Sequence, residues 1–161
     1  MLISVKYLLK LNNTETTRRA LQNPAGHVLS ALKDCAGIYK RTMLKRFDKF
    51  SKGGGDWPDI KKETKLRKKS TRILVDTRVM RLGLGADIAM TSQSGMRTTI
   101  GIRQRTKHTR AKMTVADLAS IHHFGLGRVP RRKILVRPDP ITSRLMSDRV
   151  MRGISRQMKG K

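Results

Sequence analysis

The chain has 161 residues, a formal net charge of +26 at pH 7, an apolar fraction of 37% and an aromatic fraction of 4%. This length fits one domain with extended arms, and the composition supports only a thin hydrophobic core. Because so much like charge opposes compaction, we expect an anionic partner in the working state, either nucleic acid or a protein surface rich in acids. The alternative is a solvated basic surface without a specific ligand.

The cysteine content and the apolar runs bound the cellular setting. A single cysteine, Cys35, excludes an intrachain disulfide and fits synthesis in a reducing compartment. The N-terminal apolar run is too short and too interrupted for a secretion signal, and no apolar window is long enough to span a bilayer. We therefore expect a protein that is soluble, or soluble until it assembles, with no membrane partner.

The first third of the chain predicts a strand and two helices. Residues 1–9 alternate apolar and polar side chains, as in a short strand with one buried face. A short helix capped by a threonine spans about 14–22. Apolar residues then recur every three or four positions over about 24–50, which predicts a long helix with a core-facing stripe that includes Cys35. Three consecutive glycines in the flexible loop 51–56 end this helix.

The middle of the chain predicts basic loops around a small sheet. Residues 61–72 form the densest basic segment and are expected to be a solvated helix or loop. The apolar run 73–75, stopped by an aspartate, predicts a buried strand. Residues 86–91 and 97–103 flank a polar loop and predict a β-hairpin. Residues 103–113 are basic and nearly devoid of core residues, so we expect an exposed loop.

The last third predicts two helices with clear end signals. Thr114 starts a helix whose first turn Asp117 can satisfy, and Gly125 ends it. Residues 134–136 predict a last short strand. Asp139 then caps a C-terminal helix that opens on a proline. That helix has a narrow apolar stripe, which favours docking on another element or subunit. The stripe consists of Met146, Val150, Ile154 and Met158.

Together these elements predict an α+β fold. A small antiparallel sheet is packed by the long N-terminal helix and a shorter helix, with extended basic loops and a C-terminal helix. Residues 1–138 are expected to form a single domain, and residues 139–161 a basic C-terminal helical arm.

The sequence offers no pattern typical of a catalytic, metal or cofactor site. Its 11 acidic residues are scattered, without the spacing of a paired-carboxylate site. His122 and His123 are neighbours, so on a helix they diverge by about 100°, and no further metal ligand lies at a suitable spacing. One of them is expected to be a packing or hydrogen-bonding residue at a helix end. We expect no enzyme and no cofactor.

Two basic loops are candidate contacts for phosphate groups or for acidic partners. No aromatic residues are interleaved with them, so base stacking has no support, and contact with the phosphate backbone is the expected mode of nucleic-acid binding. The same loops could equally bind acidic faces of neighbouring subunits. The candidate residues are Lys61, Lys62, Lys65, Arg67, Lys68, Lys69, Arg103, Arg105, Lys107, Arg110 and Lys112.

A series of short motifs resembles a known family. The motifs are Phe50, Trp57-Pro58, Thr64, Ile73-Leu74-Val75-Asp76-Thr77, Ile121-His122-His123-Phe124-Gly125, and Pro130-Arg131-Arg132 with Leu135. In this order, over roughly 28–136, the chain resembles the phage virion-morphogenesis, or tail-completion, family of head–tail neck proteins, which includes Mu-like G proteins. Two positions depart from the family pattern. Arg78 stands where the family usually has glycine, which affects a turn, and Ile134 where it usually has phenylalanine, which affects packing.

The resemblance implies a small α+β neck protein that completes the tail or joins it to the head, and that is not an enzyme. It implies an oligomeric ring, often of six subunits, in the neck or tail of the virion, and in the host cytoplasm during assembly. Its implied partners are further copies of the chain, other neck, portal-adaptor or tail-tube proteins, and, without sequence specificity, packaged DNA. The candidate interface residues are Trp57, Arg78, Phe124, Pro130, Arg131 and Arg132.

Two alternatives remain open at this point. Trp57 could be a core residue that covers the sheet rather than an interface anchor. The whole chain could also be a non-enzymatic nucleic-acid-binding protein, of ribosomal or nucleoid type, in which the basic loops contact phosphate groups. The motif order favours the neck protein, and the charge alone favours the nucleic-acid-binding protein.

Overall fold

A computed structural model describes residues 4–6, 15–22, 26–68, 70–75, 78–94, 97–107 and 112–159. Its elements follow one another as a mixture of helices and an antiparallel sheet, which confirms the predicted α+β class. They are β1 (Ser4–Lys6), α1 (Glu15–Gln22), α2 (His27–Ser51), α3 (Lys62–Arg67), α4 (Val79–Asp87), β2 (Ile88–Ser94), β3 (Arg97–Ile102), α5 (Val115–Phe124) and α6 (Pro140–Lys159).

The described chain forms two compact units, each built from separate stretches of sequence. The first unit comprises Met43–Asp87 and Ile102–Val136, and the second comprises Ser4–Thr42, Ile88–Gly101 and Arg137–Lys161. The long helix α2 therefore contributes its C-terminal part to the first unit and its N-terminal part to the second. The predicted division into a domain and an arm at residue 138 stays a prediction.

The sheet belongs to the second unit. Among the described residues it has three strands in the order β1-β3-β2, and β1 runs antiparallel to β3 with Ser4 opposite Gly101. The hydroxyl of Thr91 on β2 donates to the carbonyl of Thr99 on β3 at 3.3 Å. The predicted hairpin is confirmed, although β2 begins only at Ile88 because the preceding residues complete α4.

Small residues let α6 approach α2 closely in the second unit. A Cβ atom added at Gly153 would lie 2.7 Å from the Cβ of Ala31 and 2.9 Å from the carbonyl oxygen of His27. Only glycine fits this spacing without a shift of the backbone. The two helices are further tied by an ion pair in which Arg149 Nε donates to Asp34 Oδ2 at 2.8 Å.

The apolar stripe predicted on α6 is buried over most of its length. Met146, Val150 and Ile154 are buried, whereas Met158 is 54% exposed. Residues four apart advance by about 40° around a helix, so the last member lies about 120° away from the first. The helix begins as predicted, since Asp139 Oδ1 accepts a hydrogen bond from the backbone N–H of Thr142 at 2.8 Å.

Helices α4 and α5 pack against each other in the first unit. A Cβ atom at Gly83 would lie 2.7 Å from a methyl carbon of Val115. The predicted ends of α5 are confirmed. Thr114 and Asp117 form a reciprocal capping box, and Gly125 closes the helix in the left-handed conformation with φ 70°.

Two predicted strands are wrong. Ile73 and Val75 are buried as expected, but the backbone turns between them, with Leu74 at φ 57°. Residues 134–136 also form no strand, and the backbone N–H groups of Ile134 and Leu135 donate to a histidine side chain instead. A short apolar run indicates burial, but it does not establish that a partner strand exists.

Other predictions are met in part. The long helix spans His27–Ser51, and the basic segment contains the short helix α3. Within the predicted loop at 103–113, Lys107 forms a β-bridge with Thr114, and residues 108–111 lie outside the described chain. The predicted cap at Thr14 also lies outside it, as do Lys69, Asp76, Thr77 and Arg110. Every helix among the described residues is too short or too polar to cross a lipid bilayer.

Candidate functional site

The first unit contains a cavity of about 550 Å³ that is open to the surface. Three stretches of the chain line it: the loop before α3 with α3 itself, the turn that leads into α4, and α5 with the loop that follows it. We call it the basic cleft. Its cationic lining residues are Lys61, Arg67, Lys68, Arg78, Arg128 and Arg132.

The rest of the cleft wall is largely aliphatic. Met80 comes from α4 and Leu118 from α5, and further apolar surface comes from the loops. The apolar lining residues beside these two are Pro58, Ile60, Leu74, Val129 and Pro130. The lining therefore combines aliphatic residues, which we call the floor of the cleft, with cationic residues, which we call its rim.

Arg132 ties together the two sides of the cleft. Its side chain is 3% exposed, and its Nε and Nη2 atoms donate to the carbonyl oxygen of Pro58 at 3.1 and 2.9 Å. Nη2 also approaches the carbonyl of Asp59 at 3.4 Å. Burial lowers the pKa of the guanidinium, which nevertheless stays protonated at pH 7, and nearby Asp59 acts in the opposite direction. The fork of donors on one side chain fixes the loop before α3 to the segment after α5.

Asp59 is the one carboxylate among the described residues that line the cleft. Its Oδ2 atom pairs with the ammonium group of Lys65, and its Oδ1 atom accepts a hydrogen bond from the backbone N–H of Ile60 at 2.7 Å. The contact with Lys65, followed by the bond from Ile60, lowers the pKa of the carboxyl group. Because this negative charge already has a cationic partner, the cleft keeps a large positive excess.

The two adjacent histidines have different environments. His123 Nδ1 accepts hydrogen bonds from the backbone N–H groups of Ile134 at 3.2 Å and Leu135 at 3.4 Å. Burial is the main cause that lowers its pKa, followed by the charges of Arg131 and two further basic residues. This arrangement confirms that one histidine acts as a hydrogen-bonding residue at the helix end.

His122 lines the basic cleft. Its Nδ1 atom is buried and has no hydrogen-bond partner among the described residues. Burial, with smaller contributions from Arg132 and Lys68, lowers its pKa to about 4, so the imidazole is neutral at pH 7. This nitrogen has almost no accessible surface, so a ligand in the cleft could reach it only after a local rearrangement.

Trp57 is a core residue of the first unit that packs on α2. Its ring meets those of Phe47 and Phe50 edge-on, with centroids 5.3 and 5.6 Å away. Its Nε1–H group donates to the carbonyl oxygen of Lys133 at 3.3 Å. This tryptophan therefore anchors the loop that leads into the cleft, and its role in a subunit interface stays a prediction.

The structure brings several of the predicted site residues together. Those that line the basic cleft are Lys61, Arg67, Lys68, Arg78, Pro130 and Arg132. Phe124, the last residue of α5, is 40% exposed. Arg131 is exposed, and its Nε atom lies 3.4 Å from the carbonyl oxygen of His123. The described candidates that do not line it are Lys62, Lys65, Arg103, Arg105, Lys107, Phe124, Arg131, Lys112 and Trp57.

Leu118, His122 and Arg128 line the cleft but were not among the predicted site residues. Leu118 and His122 lie four residues apart on α5 and share one helix face that lines the cleft. That spacing was the available signal. Arg128 lies in a loop, where no periodicity indicates which way a side chain points.

Arg78 has an unusual backbone conformation. It is exposed, and its φ angle of 62° lies in the left-handed region that favours glycine. It is also the position at which the resembling family usually carries glycine.

Neither a metal-site search nor comparison with known proteins assigns a function to the chain. No group of three metal-ligating side chains occurs among the described residues. Comparisons of the chain with family models, with curated proteins and with solved structures found no match.

Proposed function

We propose that this chain is a structural virion protein of a phage neck or tail, which completes the tail or joins it to the head as an oligomeric ring. The supporting observation is that the motifs of the resemblance contact one another. Arg132 donates to Pro58 through its side chain and to His122 through its backbone N–H, at 2.6 Å for the latter. Residues far apart in sequence thus form one structural unit, as expected if they belong to a single signature.

The left-handed Arg78 supports the same proposal. Glycine is the residue best suited to positive φ, so a glycine in the family pattern agrees with the positive φ that this chain has at Arg78. The departure from the pattern therefore changes the side chain without removing the backbone conformation.

Exposed apolar residues support assembly with other subunits. Ile141 and Leu145 lie one turn apart on α6 and are both exposed. An exposed aliphatic pair on one helix face is suited to burial in a protein interface.

The direct test is the mass of the nuclease-treated protein by light scattering at high salt, followed by negative-stain imaging. We expect a ring, with about six copies of the 18.3 kDa chain, or a ring that forms when neck partners are added. The double variant Ile141→Glu/Leu145→Glu should reduce the mass, whereas Lys33→Glu, an exposed change on α2, should leave it unchanged. A monomer that binds a specific DNA sequence at high salt would rule out the neck proposal.

The second candidate is non-enzymatic binding of nucleic acid. The charge of +26 and the cationic lining of the cleft favour it. If phosphate contact is the function, the logarithm of the DNA affinity should fall steeply and linearly with the logarithm of the salt concentration, and the protein should remain monomeric throughout.

A further inference from the structure

Among the residues that the structure describes, the lining of the basic cleft has six cationic side chains and one carboxylate. That carboxylate, on Asp59, already pairs with Lys65. Arg132 adds a buried guanidinium whose hydrogen bonds go to neutral carbonyl groups. An anionic group at the mouth of the cleft would offset this charge.

The floor of the cleft indicates which kind of anion fits. No Phe, Tyr or Trp side chain lines it among the described residues, so it lacks the large rings on which bases usually stack. Leu118, Met80 and Val129 instead provide aliphatic surface. A phosphate backbone would leave this surface wet, whereas an aliphatic side chain would bury it. A cavity of about 550 Å³ is also of a size that holds a short peptide segment.

The chain itself has few acids to offer a neighbouring copy. It has only 11 acidic residues against 37 basic ones. Many of the acids already have partners within their own chain: Glu15 with Arg18, Asp34 with Arg149, Asp48 with Arg81, Asp59 with Lys65, Asp87 with the Thr106 backbone, Asp117 with Thr114, and Asp139 with Thr142. A partner protein richer in acids is therefore better suited than a second copy of this chain to supply carboxylates to the rim of the cleft.

We propose that the basic cleft binds an acidic peptide segment of another protein, with an aliphatic side chain on the floor and flanking carboxylates against the cationic rim. This inference goes beyond the proposed function and stands on the cleft alone, so it holds whether or not the chain forms a ring.

The test measures fluorescence anisotropy of labelled probes with the full-length, nuclease-treated protein. The first probe is a peptide in which glutamates alternate with leucines, and the second has serines in place of the leucines. The third is a single-stranded oligonucleotide of equal charge. We expect the leucine peptide to bind roughly tenfold more tightly than the serine peptide, because leucine buries aliphatic surface in the cleft.

Matched variants locate the binding site. Lys61→Glu/Arg67→Glu reverses two exposed rim charges, and Lys45→Glu/Lys133→Glu reverses two exposed charges that do not line the cleft. We expect the rim variant to lose roughly tenfold more affinity for the leucine peptide than the control variant loses. Leu118→Ser should lower the affinity for the leucine peptide but leave the affinity for the serine peptide almost unchanged. Circular dichroism checks that each variant remains folded.

The proposal is overturned if the leucine and serine peptides bind the wild-type protein equally. This comparison needs no variant, so it stands even if a variant fails to fold. Equal loss of binding in the rim and control variants would overturn it as well. So would an oligonucleotide that binds more tightly than the leucine peptide and loses affinity on rim reversal, since the cleft would then be a phosphate site.

Discussion

The two units of this protein are stabilised in different ways. In the second unit, α2 and α6 pack through small and aliphatic residues, with Gly153 against Ala31 at the closest point. In the first unit, side chains hold irregular backbone in place through hydrogen bonds. Arg132 donates to the carbonyl oxygen of Pro58, and His123 accepts from the backbone N–H of Ile134. Helices satisfy their own backbone groups and leave side chains free for packing, whereas loops need side-chain partners.

This difference predicts which substitutions each unit tolerates. A loop held by one buried guanidinium depends on that residue, because removal leaves several carbonyl groups without donors at once. A helix pair depends instead on shape, so it should be sensitive to added volume and insensitive to the loss of a single polar contact.

The largest expected effect is at Arg132. Arg132→Ala removes the donors to Pro58 and Asp59, and should lower the free energy of unfolding by about 3 kcal/mol, because buried carbonyl groups lose their hydrogen bonds. Arg132→Lys should recover only part of this loss, because an ammonium group cannot reproduce the planar fork. Urea unfolding gives the free energies.

The control is Arg131→Ala, at the neighbouring exposed position with one long hydrogen bond. It should change the free energy of unfolding by less than about 0.5 kcal/mol. If the two alanine variants were equally stable, the first unit would not depend on the buried guanidinium.

The second effect is a loss of stability in acid. The pKa of His122 is about 4 in the folded chain, below its value of 6.5 in the unfolded chain. Between these values the unfolded state binds more protons, so the free energy of unfolding falls as pH falls from about 6.5 to about 4. The contribution is at most about 3 kcal/mol, and His123, whose pKa is also lowered, adds to it.

Urea unfolding at a series of pH values measures this slope. His122→Gln should flatten it, because the residue whose pKa is lowered by burial is removed. An unaltered slope in the His122 variant would mean that this imidazole titrates alike in the folded and unfolded states.

The third effect tests packing in the second unit with two helical glycines. Gly153→Ala places a Cβ atom 2.7 Å from that of Ala31 and should destabilise the protein by about 2 kcal/mol. Gly37→Ala meets nothing closer than an Arg41 nitrogen at 3.9 Å, and should stabilise it by up to about 1 kcal/mol through helix propensity. Thermal unfolding gives both signs. A gain at both positions would show that α6 can shift away from α2 at little cost.

The smallest effect is at Arg78 in the first unit. Arg78→Gly removes the strain of a left-handed side-chain residue and should stabilise the protein by no more than about 1 kcal/mol. Arg78→Ala keeps the strained φ and serves as the control, so it should not share the gain. The comparison is made by urea unfolding at one pH.

The sequence predicts the second unit better than the first. The stripe on α6 and its Asp139 cap follow from helical periodicity and local hydrogen bonding, and both are present apart from the exposed Met158. In the first unit, the capping box at Thr114 was also predictable, because its partners lie within one turn. In both units, helix caps and helical periodicity can be predicted because the residues that form them are close together in the sequence.

The rest of the first unit depends on contacts between residues far apart in sequence. Arg132 reaches Pro58 across 74 positions, and nothing near either residue indicates the other. The two predicted strands were wrong for the same reason, since burial of Ile73 and Ile134 follows from their chemistry but pairing depends on distant chain. The sequence identified several cationic residues of the basic cleft, but it did not indicate that they surround a cavity with aliphatic lining.

The single thiol of Cys35 has a practical consequence. It is buried within the second unit, donates to the carbonyl oxygen of Met146 at 3.5 Å, and has a pKa raised to about 12, first by burial. The thiolate is the nucleophile that attacks an alkylating reagent, so labelling of this buried, protonated thiol should require α6 to separate from α2. The rate of labelling at neutral pH is then a clock for that opening, present in the natural sequence and readable by mass spectrometry without any engineered probe.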